Sequence, residues 1–321
     1  MKRILESLLE KIFTPKTIPF QKIGVFGIMN NPDYRQEPWR ESISSRLRMF
    51  DVVCLVCGHE PDIEMLREAF PVEWASGKLK AKFKPWPFPE WSYEELPKHL
   101  NEALRMANEE NCDWLIKLDI DTLFHEQDYD KLRKEVSRAH RKSKLVVSFK
   151  KLQFFLPSKY WQKGRLPIAI KTGHSIVYGF DKEKYTDLCQ PIVWDTQEYV
   201  TFNGKQYDIP SGVSVPERAI LNSGIFVYNY DFSFRTKERA IELLYQIEMA
   251  HARFWGKGYT GLGIEKITRE NAFNDFIMLS RNRDKQMNKH LKISSHPIYI
   301  QNSLLRLSDE HFGKNMWGEI K

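Results

Sequence analysis

The chain has 321 residues, 42% hydrophobic and 28% charged, so it can bury a substantial core and is too apolar for a disordered chain. No apolar run reaches bilayer-spanning length, and four cysteines are too few for a disulfide scaffold of this size. A net charge of +7 and a pI near 9.0 favour anionic partners (nucleotide phosphates, lipid headgroups or nucleic acid) without choosing among them.

Residues 1–19 place Ile4, Leu5, Leu8, Leu9, Ile12 and Phe13 at helical spacing, and Pro15 follows where a helix should stop. The expectation is an amphipathic helix packed on the protein. Lys2, Arg3, Lys11 and Lys16 also permit weak contact with an anionic membrane. With no secretory signal before the first strand, a cytoplasmic location is expected, with peripheral membrane attachment as a variant.

Apolar, β-rich runs then alternate with helical segments. KIGVFGIM (22–29) and DVVCLVCG (51–58) read as strands, with a helix through ESISSRLRMF between them and another over DIEMLREAF (62–70). Cys54 and Cys57 lie three apart on a strand, hence on opposite faces, and read as buried reduced thiols. KFKPWPFPEWSY (82–93) is too rich in proline for a helix or a central strand and reads as a loop. ELPKHLNEALRMANEE forms a helix starting near Leu96, DWLIKLD (113–119) a buried strand, and KLVVSF (144–149) another strand after a charged helix. This alternation predicts a parallel, three-layer α/β arrangement for residues 20–150.

Residues 151–321 differ: HSIVYGF, QEYVTFNGKQYDIP and AILNSGIFVYNYDF are strand-like, and Asn203-Gly204 signals a hairpin. A long helix follows through RTKERAIELLYQIEMAHARFW. With no repeat and no low-complexity linker, the two parts read as halves of one continuous domain.

An Asp-x-Asp pair occurs twice. Asp128 and Asp130 enter a charged helix, where acids suit the positive end of the helix dipole, and no chemistry is assigned to them. Asp119 and Asp121 follow the buried strand WLIKL directly. If the chain stays extended there, their carboxylates converge at the carboxyl end of a parallel strand, where open α/β sheets bind ligands. Two converging carboxylates repel unless a cation joins them, and oxygen ligands select a hard ion such as Mg²⁺ or Mn²⁺, which would neutralise a diphosphate.

DWLIKLDIDTLF resembles the nucleotide-sugar motif of GT-A glycosyltransferases, particularly those similar to glycosyltransferase family 2. The phrase LNSGIFVYN (221–229) is also similar to a segment of the retaining family 8 enzymes. The resemblance implies a GT-A fold: a Rossmann-like, mostly parallel nucleotide-sugar-binding half at 20–150, joined to a mixed-β acceptor half with C-terminal helices at 151–321. It implies a glycosyltransferase of the hexosyltransferase type that uses a nucleoside diphosphate sugar, UDP-sugars favoured, with a glycan, lipid or nucleic acid as acceptor.

Carried over by position, Asp121 becomes the main metal ligand and Asp119 faces the ribose or the metal; Asn30 and Glu60 become nucleoside contacts. His296 is the natural later metal ligand, with Asp231 as its competitor. An inverting displacement needs a carboxylate base; Asp195, Asp208 and Glu217 lie in the expected region, with Glu217 and Asp195 preferred. Trp86 and Trp91 offer a sugar-stacking wall, although core packing is a tryptophan's commoner role. The family's usual Asp-Asp-Gly-Ser after the second strand is replaced by Cys57, Gly58, His59 and Glu60. The rivals are a nucleotidyltransferase of sugar metabolism, against which the glycine-free loop NNPDYRQEPWR counts, and a nucleic-acid-binding protein or nucleic-acid-base glycosyltransferase.

Overall fold

The structure, a computed structural model, describes residues 21–154, 156, 159–173, 178–179, 198–202, 205–209, 219–230, 232–284 and 289–311. The segment 1–19, the Asn203-Gly204 turn, Asp195, Glu217 and Asp231 lie outside the described residues.

Strands β1 (Ile23–Met29), β2 (Val52–Cys57), β3 (Leu79–Phe83), β4 (Trp114–Lys117), β5 (Thr122–Phe124), β6 (Val146–Phe154), β7 (Lys159–Lys171), β11 (Ile220–Asn229) and β12 (Lys289–His290) form one sheet. Its order is β3-β2-β1-β4-β7-β6-β11-β5, with β12 paired to β7. The first four strands are mutually parallel, as the alternating pattern predicts. β7 then enters antiparallel between β4 and β6, while β11 runs parallel to β6 and β5 antiparallel to β11. A second, antiparallel sheet joins β8 (Tyr178–Gly179), β9 (Glu198–Phe202) and β10 (Lys205–Ile209). In it Phe202 pairs with Lys205, the register of a two-residue hairpin. The fold is thus mixed α/β around a mostly parallel sheet, with both halves of the sequence contributing strands to it.

The first strands are apolar throughout because both faces are covered. Val25, Val53, Leu55 and Ile116 pack with Trp39, Ile43 and Leu47 of the Trp39–Met49 helix and Leu132, Val136 and Ala139 of the Tyr129–Arg141 helix. Phe26, Val52, Cys54, Val56 and Leu115 pack on Leu100, Ala103, Leu104 and Ala107 of the Glu95–Asn108 helix. Cys54 and Cys57 fall in opposite layers, as their spacing requires, and burial pushes the Cys54 thiol up to about 12. Towards the far edge, Leu123, Leu152, Phe154, Tyr228 and Tyr230 pack on Ile300 and Leu304 of the Ile298–Leu305 helix.

Some elements depart from the expectation and others meet it. β3, LKAKF, lies partly within what reads as loop: its lysines face outward on an edge strand, so it lacks an apolar signature. β6 runs on through Lys150 and Lys151 to Phe154, past the expected end at residue 149. The helix expected near Leu96 begins at Glu95 with Pro97 in its first turn, as expected.

Candidate functional site

Because β1, β2 and β4 are parallel, their ends at Met29, Cys57 and Lys117 share one edge of the sheet. β6 and β11, ending at Phe154 and Asn229, reach the same edge. The loops leaving β1, β2 and β4 therefore gather there, the usual ligand position of such sheets.

The chain leaves β4 in a tight turn. Leu118 N–H donates to the Phe26 carbonyl at 3.0 Å, and Thr122 N–H to the Asp119 carbonyl at 2.9 Å. Gly27 permits this path, since a Cβ there would overlap the Leu118 carbonyl oxygen. The two acids end up in different settings. Asp119 is half-exposed, its Oδ1 3.0 Å from Lys117 Nζ. Asp121 is buried: its Oδ1 accepts from Asn229 Nδ2 at 2.8 Å and from Thr122 Oγ1 at 3.1 Å. Tyr230 N–H holds the Asp121 carbonyl at 3.0 Å, so β11 grips this turn through backbone and side chain alike.

The cation expected to reconcile the two carboxylates is partly supplied by the chain. Arg46, 1% exposed on the Trp39–Met49 helix, bonds the Asp119 carbonyl through its guanidinium. Burial draws Arg46 down to about 10, against the opposing pull of Asp119 and Asp121. Lys117 Nζ adds a second cation at Asp119. Arg46 Nε and Nη1 are buried and meet no hydrogen-bond acceptor.

A divalent ion fits the same residues. Their donor set is all oxygen, and beside it the Asn229 Oδ1 acceptor is buried without a donor. Among the described residues no three His, Cys, Asp or Glu side chains form a metal-holding group. Asp119 and Asp121 are, among the described residues, the carboxylates at this turn, oxygen donors of the kind that Mg²⁺ or Mn²⁺ takes.

At the ends of β1 and β2, Gly58 lies so close to Asn30 and Trp86 that a Cβ would strike both. Asn30 thus sits at this corner. Glu60 is exposed at the start of the Pro61–Ala69 helix and caps nothing. The acid turned into the corner is Asp62, 2% exposed, which accepts from Asn31 N–H at 2.8 Å and lies 3.1 Å from His59 Nδ1. Burial raises its carboxyl, against the hydrogen bonds from Asn31 and His59. The loop after β1 is fixed from afar: Arg235 Nε donates to the Arg35 carbonyl at 3.0 Å and Arg239 lies 3.5 Å over the Tyr34 ring. Tyr34 in turn meets the half-exposed Phe88 edge-on at 6.0 Å.

The other expected residues are spread out. His296 is fully buried, bonded through Nδ1 to Tyr230 OH at 2.8 Å and packed on Phe154; it forms no metal-type group with the two aspartates. Asp208 lies on β10, opposite Tyr199. Trp91 is buried among Trp86, Tyr93 and their neighbours, the packing role, whereas Trp86 stays half-buried against Gly58. Asp128 stands at the start of the Tyr129–Arg141 helix without a side-chain capping bond and pairs with Lys131 at 3.7 Å. Sequence reasoning missed Arg46, Asp62 and Asn229. Only Arg46 carried a signal, a charge three residues from Ile43 and one from Leu47 on an apolar stripe.

No family model and no curated protein matches the chain. Among solved structures it is loosely similar to a mannose-6-phosphate isomerase from Helicobacter pylori, with a TM-score of 0.26 and 15% identity over 40% of this chain and 50% of that one. It therefore spans about half of the isomerase chain. It is also similar to S. aureus TarS 1-349 in complex with UDP, with a TM-score of 0.34 and 12% identity over 80% of this chain and 70% of that one. The TarS 1-349 complex with UDP-GlcNAc gives 0.34 and 13%, over 80% of each chain. Likenesses this loose carry no argument for fold or function.

Proposed function

We propose that the chain is a metal-dependent glycosyltransferase that moves a sugar from a nucleoside diphosphate sugar, UDP-sugars favoured, to an acceptor. One observation carries this reading: Asp119 and Asp121 sit in a braced turn at the carboxyl edge of a parallel sheet, beside the corner built by the loops after β1 and β2. The nucleoside lies in that corner, with Asn30 and Asp62 as its polar contacts, and the diphosphate reaches Asp119 and Asp121. Mg²⁺ or Mn²⁺ held by the two acids supplies positive charge to the departing diphosphate. Arg46 and Lys117 place positive charge beside the two acids.

In the transfer, the acceptor hydroxyl oxygen bonds to the anomeric carbon, and the bond from that carbon to the diphosphate oxygen breaks with its electron pair. The hydroxyl proton passes to a carboxylate, Glu217 or Asp195, and the configuration inverts. No helix among the described residues is long and apolar enough to cross a membrane; a weak contact of segment 1–19 with anionic lipid belongs to this proposal.

A thermal-shift panel of nucleoside diphosphates, nucleotide sugars and nucleoside triphosphates, with and without Mn²⁺, tests the reading. A nucleotide-sugar shift that needs Mn²⁺ supports it. A shift confined to triphosphates would favour a nucleotidyltransferase, and salt-sensitive DNA binding with no nucleotide shift would favour a nucleic-acid partner.

A further inference from the structure

His59 lies just past β2, in the loop that enters the Pro61–Ala69 helix, and the backbone around it is clamped. Gly58 N–H donates to the Met29 carbonyl at 2.8 Å, and Trp86 N–H to the Gly58 carbonyl at 3.0 Å. On the other side Asp62 N–H donates to the His59 carbonyl at 3.1 Å. The imidazole is held too: Nδ1 lies 3.1 Å from Asp62 Oδ1, and Asn31 N–H donates to Asp62 Oδ2 at 2.8 Å.

The pair is unequal in exposure: the Asp62 side chain is 2% exposed and that of His59 43%. A carboxylate only accepts, so the neutral imidazole carries its proton on Nδ1 and a lone pair on Nε2. Nε2 diverges from the Asp62 bond and meets no hydrogen-bond partner among the described residues. The loop after β2 therefore presents one acceptor of fixed tautomer on a braced backbone. Its place relative to Asp119 and Asp121 follows from the sheet. β2, β1 and β4 are neighbours in that order, so β2 stands two strand spacings, roughly 10 Å, from β4. A nucleotide whose diphosphate reaches the two acids lays its other end, the base, towards that loop.

We infer that His59, its tautomer set by Asp62, reads the base: Nε2 accepts the ring N–H of a uracil-type base and rejects a base whose edge nitrogen is itself an acceptor. The inference rests on the proposed reading of this corner as the nucleoside's place. Uracil carries a hydrogen on N3, which Nε2 accepts. Cytosine, a base of the same size, carries a lone pair on N3, which would face the lone pair on Nε2. A site built to bond an N–H discriminates against the analogue that lacks it, because the site's own polar group is then left unpaired. In this Asp62 is a positioning residue, acting through His59.

The test is calorimetric titration of the full chain with UDP and with CDP, each with MnCl₂ present at pH 8. Wild type is expected to bind UDP roughly tenfold more tightly than CDP. His59→Ala should lose that preference. Asp62→Asn should reverse it: Asn31 N–H holds the amide oxygen, the amide N–H donates to Nδ1, and the imidazole proton moves to Nε2, which then pairs with cytosine N3. His59→Ala removes an exposed side chain and serves where Asp62→Asn fails to fold, with thermal melting as the check. Wild type binding UDP and CDP alike, or a folded His59→Ala that keeps the wild-type preference, would overturn the role of His59. A folded Asp62→Asn that does not reverse the preference would overturn the part of Asp62 alone. Wild type binding neither nucleotide would overturn the reading of the corner beneath it.

Discussion

Asp121 at the carboxyl edge and Glu248 on the Lys237–Trp255 helix are both buried acids, 8% and 5% exposed, yet the chain around them differs. Asp121 receives side-chain donors at Oδ1 and has Arg46 nearby. Glu248 has only backbone N–H groups, those of Tyr259 and Thr260, and its Oε2 meets no donor. Burial therefore lifts Glu248 to about 7, with Asp275 adding to the rise. One region surrounds an acid with side-chain donors and a buried cation; the other packs an acid away against the backbone of Tyr259 and Thr260. The contrast separates an acid braced by side-chain donors from one met by backbone donors.

Removing the internal cation should break the first region most severely. Arg46→Met leaves Asp121 buried without its balancing charge, a change expected to cost about 3–5 kcal/mol in chemical denaturation at neutral pH. A loss below about 1 kcal/mol would mean that Arg46 does not balance the pair.

In the second region two groups oppose each other. Glu248 keeps its proton in the folded chain from its ordinary value of 4.5 up to about 7, so its contribution falls as pH rises through that window and is flat above it. His251, whose Nδ1–H donates to the Lys257 carbonyl, is pushed by burial from 6.5 to about 4, so its contribution is full above 6.5 and is lost as pH falls through that range. Each change amounts to roughly 3 kcal/mol, and together they nearly cancel. Glu248→Gln should expose the histidine: its stability relative to wild type should rise by roughly 3 kcal/mol between pH 4.5 and 7, read from denaturation series at several pH values. Parallel curves for the two proteins would show that Glu248 is not lifted by burial.

A smaller effect probes the packing around the same acid. A Cβ on Gly258 would collide with Glu248 Oε2, so Gly258→Ala should cost about 1–3 kcal/mol in wild type and less beside Glu248→Ala, a double-mutant cycle read by thermal melting. Additive losses would contradict the contact. Smallest of all should be the change at a surface acid. Glu102 is held down to about 2 by hydrogen bonds from Arg105 and Lys82, but water screens the group, so Glu102→Gln should cost under about 1 kcal/mol and less at high salt.

The parallel strands were legible because burial on both faces writes a continuous apolar run, and the β9–β10 hairpin because its turn has a local code. β3 was not, since an edge strand needs lysines, nor was β7, whose place between β4 and β6 depends on pairing far along the chain. At the site, Asp119 and Asp121 stood out because two acids directly after a buried strand have few structural uses. Asp62 did not: it and Glu60 look alike in HEPD, and only the turn into the helix decides which one points inward. Asn229 is invisible without the fold, because its partner lies 108 residues earlier and the contact exists only once β11 has paired with β5.

The central claim, that the Asp119–Asp121 turn is a cation-assisted diphosphate site and the Asp128–Asp130 pair is not, is tested most directly by calorimetric titration of UDP into wild type, Asp121→Asn and Asp128→Asn, each with and without Mn²⁺. Wild type and Asp128→Asn should bind UDP at least tenfold more tightly with Mn²⁺ present, and Asp121→Asn should lose that gain while melting as cooperatively as wild type. UDP binding in wild type that ignores Mn²⁺, or an equal loss of the Mn²⁺ gain in both variants, would contradict the claim.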